Sequence, residues 1–442
     1  MKHLRKLFSK PVIPVVLLLA AAAAVRFGFD HDTSLAPVGD FGDYVKIGKN
    51  LVQNGYFGVK ETPDQKFPPV YPATLAAVSW AVDGGEVSHL AYFSLNLALD
   101  LLSLLLLVSI GARVTGSYMW PGLFFVAVNP CWFASSNVAV SEPLSFALFL
   151  GFLHLWIAPE RTKARLAGAG VLMGLLALTR SMYVWFPFFL VLSERFLLPR
   201  LAAAAGNRPL ARKLQWAPGT IWVFLAVFLA PLALWGYRNY LVLGNFEFGQ
   251  SANGIKMAYA FIHIPVLDFK NPESAGTFYN LPRIRELSPV EFTDPAAAAK
   301  VFASMRDDVL AYVAEHPFRY AAAVLVNPIR LWVTGWGNPF AYIFVPGYLW
   351  GIFRWCFAAP LVLCGLVGFL RHSRQLVRQK AAGALQVTRW RTAWVQATLF
   401  VFVSALTAPL VVESRYALAP FLLFSLWMGY AFKAKENADV TY

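Results

Sequence analysis

The chain contains ten apolar runs, most of them long enough to cross a membrane as helices. Crossing the ~30 Å hydrocarbon core of a bilayer takes roughly 20 helical residues. The runs lie near residues 11–29, 89–110, 120–137, 141–158, 166–180, 182–198, 218–237, 348–370, 393–410 and 414–432. Hydrophobic residues make up 58% of the chain and charged residues 14%, and the mean hydropathy is +0.54. The sequence therefore predicts an all-α polytopic membrane protein with about ten transmembrane helices, within a range of roughly nine to thirteen.

Basic residues cluster between particular apolar runs and so predict the orientation of the chain. They are Lys2, Arg5, Lys6 and Lys10; Arg161, Lys163 and Arg165; Arg195, Arg200, Arg208, Arg212 and Lys213; and Arg371, Arg374, Arg378, Lys380, Arg389 and Arg391. Loops rich in lysine and arginine remain in the cytoplasm, and ten spans with both termini inside place all of these loops there. The net charge of +14 is thus explained by membrane orientation rather than by nucleic acid.

Two further apolar stretches, 70–82 and 318–337, are predicted to lie on the outer surface without crossing. Counting either one alone as a span would move a basic loop to the outside. The first stretch is also too short to cross, and the second carries Asn327, Pro328 and Arg330 in its middle. Two long outer loops, both expected to carry surface helices, follow from this topology.

The predicted topology divides the chain into three parts. Residues 1–240 form an N-terminal transmembrane module with a first outer loop at 30–69, residues 241–347 an outer loop, and residues 348–442 the C-terminal transmembrane helices. Within the second loop, Asp294 and Pro295 begin an amphipathic helix that packs within the loop or lies on the membrane.

The first apolar run could alternatively be a cleaved signal peptide. The cysteines, Cys131, Cys356 and Cys364, lack a paired spacing and indicate core packing.

Charged residues next to the apolar runs collect on the predicted outer face. They are Asp40, Asp43, Glu142, Arg180, Arg238, Glu413 and Arg415. Charge is costly in a membrane and often functional. Each residue also has a structural alternative: the arginines can extend to the lipid headgroups, Glu142 can cap a helix, and Asp40 with Asp43 fits an acidic capping box.

Several segments resemble the GT-C glycosyltransferases, and they cover nearly the whole chain in order. "GDFGDYVKIGKNLVQNGYFG" followed by "FPPVYP" resembles the first outer loop of that superfamily. Further similar segments are "NPCWFASSNVAVSEPLSF", "GLLALTRSMYVWFPF", "PLALWGYRNYLVLGNF", "HPFRY" and "ESRYALAPFLLF". The bacterial branch that resembles lipid A aminoarabinose transferases and protein O-mannosyltransferases is the most similar. Many members have adjacent Asp and Glu in the first loop, whereas Phe41 and Gly42 separate the two acids here.

The resemblance implies an inverting transfer of a sugar from a polyprenyl-phosphate donor to an acceptor hydroxyl at the outer face of a bacterial plasma membrane. Asp40 is implied as the general base. The implied secondary acids or metal ligands are Asp43, Glu142 and Glu413; the implied phosphate-binding residues are Arg180, Arg238 and Arg415; and the implied supporting residues are Tyr44, Asn239 and Tyr416. A phosphate leaving group needs stabilisation of its developing charge and no general acid, which suits arginine.

The residues leave the sugar, a hexose or a pentose, and the acceptor, a lipid, glycan or protein, open. No cofactor is required by the sequence, although the carboxylates suit Mg, Mn or Ca. A transporter or flippase is the alternative function, because Asp100 in the second span is a candidate proton site. Transporters usually contain repeated halves, and no repeat is evident here. A ligase or polymerase of lipid-linked glycans would share the donor.

Overall fold

The computed structural model describes a helical chain, and no strand occurs among the residues it describes. Those residues are 12–28, 40–61, 63, 67–129, 137–217, 219–244, 246–248, 251–263, 280–290, 295–333, 359–379, 383–409 and 418–432. The all-α class predicted from the sequence is therefore confirmed for this part of the chain.

Eleven α-helices precede residue 244 in the described ranges. They are α1 (Val12–Gly28), α2 (Asp40–Gln53), α3 (Val70–Asp83), α4 (His89–Val114), α5 (Trp120–Ala127), α6 (Glu142–Trp156), α7 (Lys163–Ala177), α8 (Phe186–Phe196), α9 (Leu198–Ala204), α10 (Arg208–Leu214) and α11 (Thr220–Leu243). The later helices are α12 (Ser251–His263), α13 (Pro282–Leu287), α14 (Pro295–Glu315), α15 (Pro317–Val333), α16 (Ala359–Arg378), α17 (Ala384–Thr407) and α18 (Leu418–Met428). Single 3₁₀ turns occur at Gly116–Met119, Ser181–Val184 and Gly429–Phe432.

Three of the described segments are long and apolar enough to cross a membrane: His89–Val114, Ser181–Ala204 and Thr220–Leu243. Shorter apolar helices lie at Val12–Gly28, Glu142–Trp156 and Leu423–Phe432. The predicted count of ten spans is neither reached nor excluded by the described residues. One predicted span, 120–137, differs clearly, because α5 already ends at Ala127. Asn129 precedes a proline, and that position disfavours the α conformation.

The main core lies between α4, α6, α7 and α11 and combines leucine and other aliphatic side chains with a cluster of aromatic rings. Phe152, Trp156 and Phe224 are fully buried, and their ring centroids lie 4.8 to 6.3 Å apart.

Helices α7 and α11 approach each other closely where α7 carries glycine. A Cβ atom at Gly174 would lie 2.8 Å from the carbonyl oxygen of Phe228 on α11. Small residues allow this close backbone approach between membrane helices.

The predicted amphipathic helix is confirmed as α14, which packs within the loop. Its residue Met305 is fully buried, and Phe302 and Val309 pack around it against residues of α12 and α13. Pro317 begins α15, in which the Asn327 side chain is buried and donates to the carbonyl oxygen of Thr407 at the end of α17 (2.8 Å). Asn327, one of the residues that make the 318–337 stretch costly in lipid, therefore links α15 to the end of α17 by a hydrogen bond.

Candidate functional site

The predicted first outer loop contains α2, whose apolar face is buried as its sequence spacing predicts. Tyr44 and Ile47 lie inside a hydrophobic cluster together with Phe67 and Tyr71, while Lys46 on another face is exposed. The ring centroids of Tyr44 and Phe67 are 4.8 Å apart, and those of Tyr44 and Tyr71 are 5.0 Å apart. This packing fixes α2 against α3.

The two aspartates of the opening motif both lie in the first turn of α2. Asp40 is the first residue of this helix that the structure describes. Its side chain lies outside the described atoms. The Asp43 side chain is 14% exposed and has Lys46 at 3.9 Å. Negative charge is favourable in the first turn of a helix because the helix dipole is positive there.

Tyr71 lies under the aromatic packing of α2 and is fully buried. Burial raises the pKa of Tyr71 well above the usual tyrosine value, with a smaller contribution from Tyr44. Its hydroxyl therefore stays protonated at neutral pH.

Glu142 of α6 and Arg180 of the connection after α7 form a buried ion pair with an N···O distance of 2.7 Å. Glu142 opens α6, and Arg180 lies three residues beyond the end of α7, directly before the 3₁₀ turn Ser181–Val184. The two side chains are only 2% and 11% exposed, so Arg180 does not extend to the lipid headgroups. The backbone N–H of Val70, at the start of α3, donates to the carbonyl oxygen of Leu178 (3.1 Å). The ion pair is thereby connected to the helix that carries Tyr71.

Arg238 also reaches the first outer loop, from the end of α11. Its guanidinium donates to the carbonyl oxygen of Phe57 (3.4 Å) and to Oδ1 of Asn239 (2.9 Å). It lies 4.8 Å from the ring centroid of Trp235 and 5.7 Å from that of Phe57. Asn239 is fully buried and donates to the carbonyl oxygen of Glu247 (2.6 Å). Arg238 is therefore held where α11 meets the residues that follow α2.

The structure thus brings four of the predicted site regions to one end of the molecule. Phe57, Tyr44 and Tyr71 share one hydrophobic cluster with Leu144 of α6, and Trp235 of α11 packs against it. Three further predicted site residues, Glu413, Arg415 and Tyr416, lie outside the described residues. Among the described residues, no group of three or more His, Cys, Asp or Glu side chains is arranged to hold a metal ion. Divalent cation binding therefore stays a prediction.

Asp100, the candidate proton site, is paired in the structure. The Arg26 Nε atom donates to its carboxylate at 2.9 Å, and both side chains are fully buried. Arg26 also donates to the carbonyl oxygens of Ala22 and Ala127, at 3.0 and 3.1 Å. This interaction joins α1, α4 and α5. Sequence reasoning identified Asp100 as costly in lipid but did not identify its partner, which is 74 residues away.

A second buried charged cluster, also missed from the sequence, lies around Glu194 at the far end of α8. Arg161 and Arg391 both contact Glu194 Oε1, and the Trp156 indole donates to Oε2 (2.8 Å). The Arg161 guanidinium lies 4.6 and 4.2 Å from the ring centroids of Trp156 and Trp216. Both arginines belong to predicted cytoplasmic loops, so part of the basic charge there is structural.

Comparison with known proteins gives structural matches only. The chain is similar to ArnT from Cupriavidus metallidurans bound to undecaprenyl phosphate, with 14% identity and a TM-score of 0.42 over 89% of this chain and 77% of ArnT. The apo state of the same ArnT gives 14% identity and a TM-score of 0.39, over 90% of this chain and 77% of ArnT. The archaeal oligosaccharyltransferase AglB from Archaeoglobus fulgidus, in complex with an inhibitory peptide and a dolichol-phosphate, gives 12% identity and a TM-score of 0.44.

The AglB match covers 94% of this chain but only 50% of AglB. No family model matches the chain, and no curated protein matches it. With TM-scores below 0.5, none of the structural similarities defines the activity of this chain.

Proposed function

We propose that this protein is a membrane glycosyltransferase that moves a sugar from a polyprenyl-phosphate donor to an acceptor hydroxyl. The reaction would take place at the outer face of a bacterial plasma membrane. The observation that carries the proposal is the gathering of Arg238 and the Glu142–Arg180 pair around α2, the helix that begins at Asp40. A donor phosphate in a membrane needs cationic groups at a fixed place near the lipid surface.

In the proposed reaction, the acceptor oxygen attacks the anomeric carbon of the sugar while Asp40 accepts the hydroxyl proton. The bond from the anomeric carbon to the phosphate oxygen breaks, and its electron pair leaves with the polyprenyl phosphate. One displacement inverts the configuration at that carbon. Only one carboxylate is required, in contrast to hydrolases, most of which use two.

Each basic residue has a distinct proposed part. Arg238, which points to the segment after α2, stabilises the charge that develops on the departing phosphate. Arg180, held by Glu142, is the second cationic group near the donor phosphate. Arg415 would complete the phosphate site with support from Tyr416, and Glu413, Asp43 and Glu142 are the candidates for an additional carboxylate or cation ligand.

The test of Asp40 is sugar transfer by Asp40→Asn protein, with Asp43→Asn as the matched control. Membranes containing each variant are incubated with radiolabelled polyprenyl-phosphate sugars, and the label that moves to product is measured. Asparagine can still make the polar contacts of the helix terminus but cannot accept a proton, so we expect Asp40→Asn to lower turnover by a factor of about 10² or more. Asp43→Asn should retain transfer.

Near-normal transfer by Asp40→Asn would remove Asp40 as the base, and a loss of transfer in Asp43→Asn alone would move that role to Asp43. Stereochemical retention in the product would contradict the single displacement. The panel of labelled donors, hexoses and pentoses, also identifies the sugar, and the labelled product identifies a lipid, glycan or protein acceptor. A ligase or polymerase of lipid-linked glycans would transfer label only from an oligomeric donor.

A further inference from the structure

A narrow apolar cleft opens at the end of the molecule opposite the candidate active site. It has a volume of about 150 Å³ and lies between α9, α16 and α17. Its walls include Phe369, Leu376, Trp394 and Ala397. This volume is large enough for several methylene groups.

Two residues that line the cleft carry hydrogen-bond donors without a partner among the residues that the structure describes. They are the Ser373 hydroxyl on α16 and the Trp390 indole N–H on α17, and both atoms are buried. A buried donor without an acceptor costs free energy. Neither donor is accessible from the cleft, so the exposed lining of the cleft is apolar and suits a hydrocarbon chain.

The surroundings of the cleft are strongly basic. Arg374 and Arg378 directly follow the cleft residues Ser373 and Val377 on α16 and are exposed. The exposed Arg212 lies on α10, and residues of α10 share a hydrophobic cluster with Leu376 and Trp390. An anionic group next to the cleft would be attracted by several arginines at once.

We propose that the cleft binds one acyl chain of an anionic phospholipid from the leaflet that the basic loops face. The headgroup phosphate of the lipid lies among the arginines that follow the cleft residues on α16. A phospholipid has this order of apolar chain and negative charge along its length. The site lies apart from Arg238 and does not depend on the proposed transfer reaction.

The test uses the full-length protein in detergent with a phosphatidylglycerol that carries a photoreactive diazirine in one acyl chain. After illumination, mass spectrometry maps the labelled peptides. We expect labelling within residues 369–377 and 390–397, competed by phosphatidylglycerol and much less by phosphatidylcholine. Ala397→Phe fills the cleft and should abolish this labelling, whereas Ala299→Phe on an exposed face of α14 should not change it.

The charge requirement is tested by Arg374→Gln with Arg378→Gln, for which we expect an affinity for phosphatidylglycerol lowered roughly tenfold or more. Arg285→Gln, an exposed position on α13, is the control. Unchanged labelling in Ala397→Phe would overturn the proposal, as would equal competition by phosphatidylcholine. A third outcome would also overturn it: labelling that appears only when residues 433–442 are removed. The C-terminal residues of this chain would then be what fills the cleft.

Discussion

At the residue scale, the Glu142–Arg180 pair combines a structural interaction with a proposed functional one. Both side chains are almost fully buried, so each charge is compensated mainly by the other. Removing one member of a buried pair leaves an uncompensated charge and typically costs 3–5 kcal/mol, whereas an apolar replacement of both can be neutral. The two roles can therefore be separated by mutation.

We expect Glu142→Gln alone to lower the thermal stability of the purified protein strongly. The double variant Glu142→Gln with Arg180→Met should recover most of that stability, because no unpaired charge remains. If Arg180 also acts on the donor phosphate, the double variant should still transfer sugar poorly. The measurement is thermal unfolding and sugar transfer on the same preparations. Full transfer by the stable double variant would show that Arg180 is structural only.

At this scale, the sequence predicted features that depend on nearby residues but not contacts between residues that are distant in the chain. The placement of Glu142 and Arg180 on one face followed from topology, and the buried face of α2 followed from the spacing of Tyr44 and Ile47. The partners of Asp100 and Glu194 did not follow. A polar residue in an apolar run signals that it needs a partner, but pairing between residues as distant as Arg26 and Asp100 is decided by helix packing.

At the scale of the helix, glycine spacing on α7 decides how closely α11 can approach. Gly170 and Gly174 are four residues apart and thus lie on one face of α7. A Cβ at either position would lie 2.8 Å from a carbonyl oxygen of α11, and at Gly174 it would also lie 2.5 Å from the ring of Pro231. Neither neighbour is the flexible end of a side chain, so the helices would have to separate.

We expect Gly174→Ala to destabilise the protein by roughly 1–3 kcal/mol through overpacking, despite the better helix propensity of alanine. Gly254→Ala on α12 is the matched control, because a Cβ there meets nothing within 4 Å. That variant should be neutral or slightly more stable. Thermal unfolding of both purified variants provides the comparison. Equal stability of the two variants would contradict the close contact between α7 and α11.

Element boundaries were predicted well where capping or proline residues mark them, as at Pro295 and Pro317. They were predicted poorly where hydropathy alone was used. The run at 120–137 is mostly apolar, yet α5 ends at Ala127. The mean hydropathy of a run does not show where the backbone leaves the helix, whereas the Asn129–Pro130 pair does. The segment Ser181–Ala204 shows the opposite case. The predicted run there ended at residue 198, but the helical region continues to Ala204 through residues that are less apolar.

At the scale of the whole molecule, two buried charged clusters lie at different levels of one candidate span. Arg180 directly precedes the segment Ser181–Ala204, and Glu194 lies 14 residues further along the chain, which corresponds to roughly 20 Å of helix. Glu194 is paired with arginines of the basic loops. If those loops are cytoplasmic, the Glu142–Arg180 pair and the helix that begins at Asp40 face the other side of the membrane.

Reporter fusions test this orientation directly in cells. A reporter after Tyr442 and one inserted at Gly206, in the exposed turn between α9 and α10, should both be cytoplasmic, and one inserted at Asn271 should be outside. Each site is tested with two reporters, one active only in the cytoplasm and one active only outside it. Either location then gives a positive signal from one of the two reporters. If the Asn271 fusion were cytoplasmic, the arginines of the candidate site would face the compartment of the basic loops. A donor delivered to the outer leaflet would then have no access to Asp40, and the proposed reaction could not occur there.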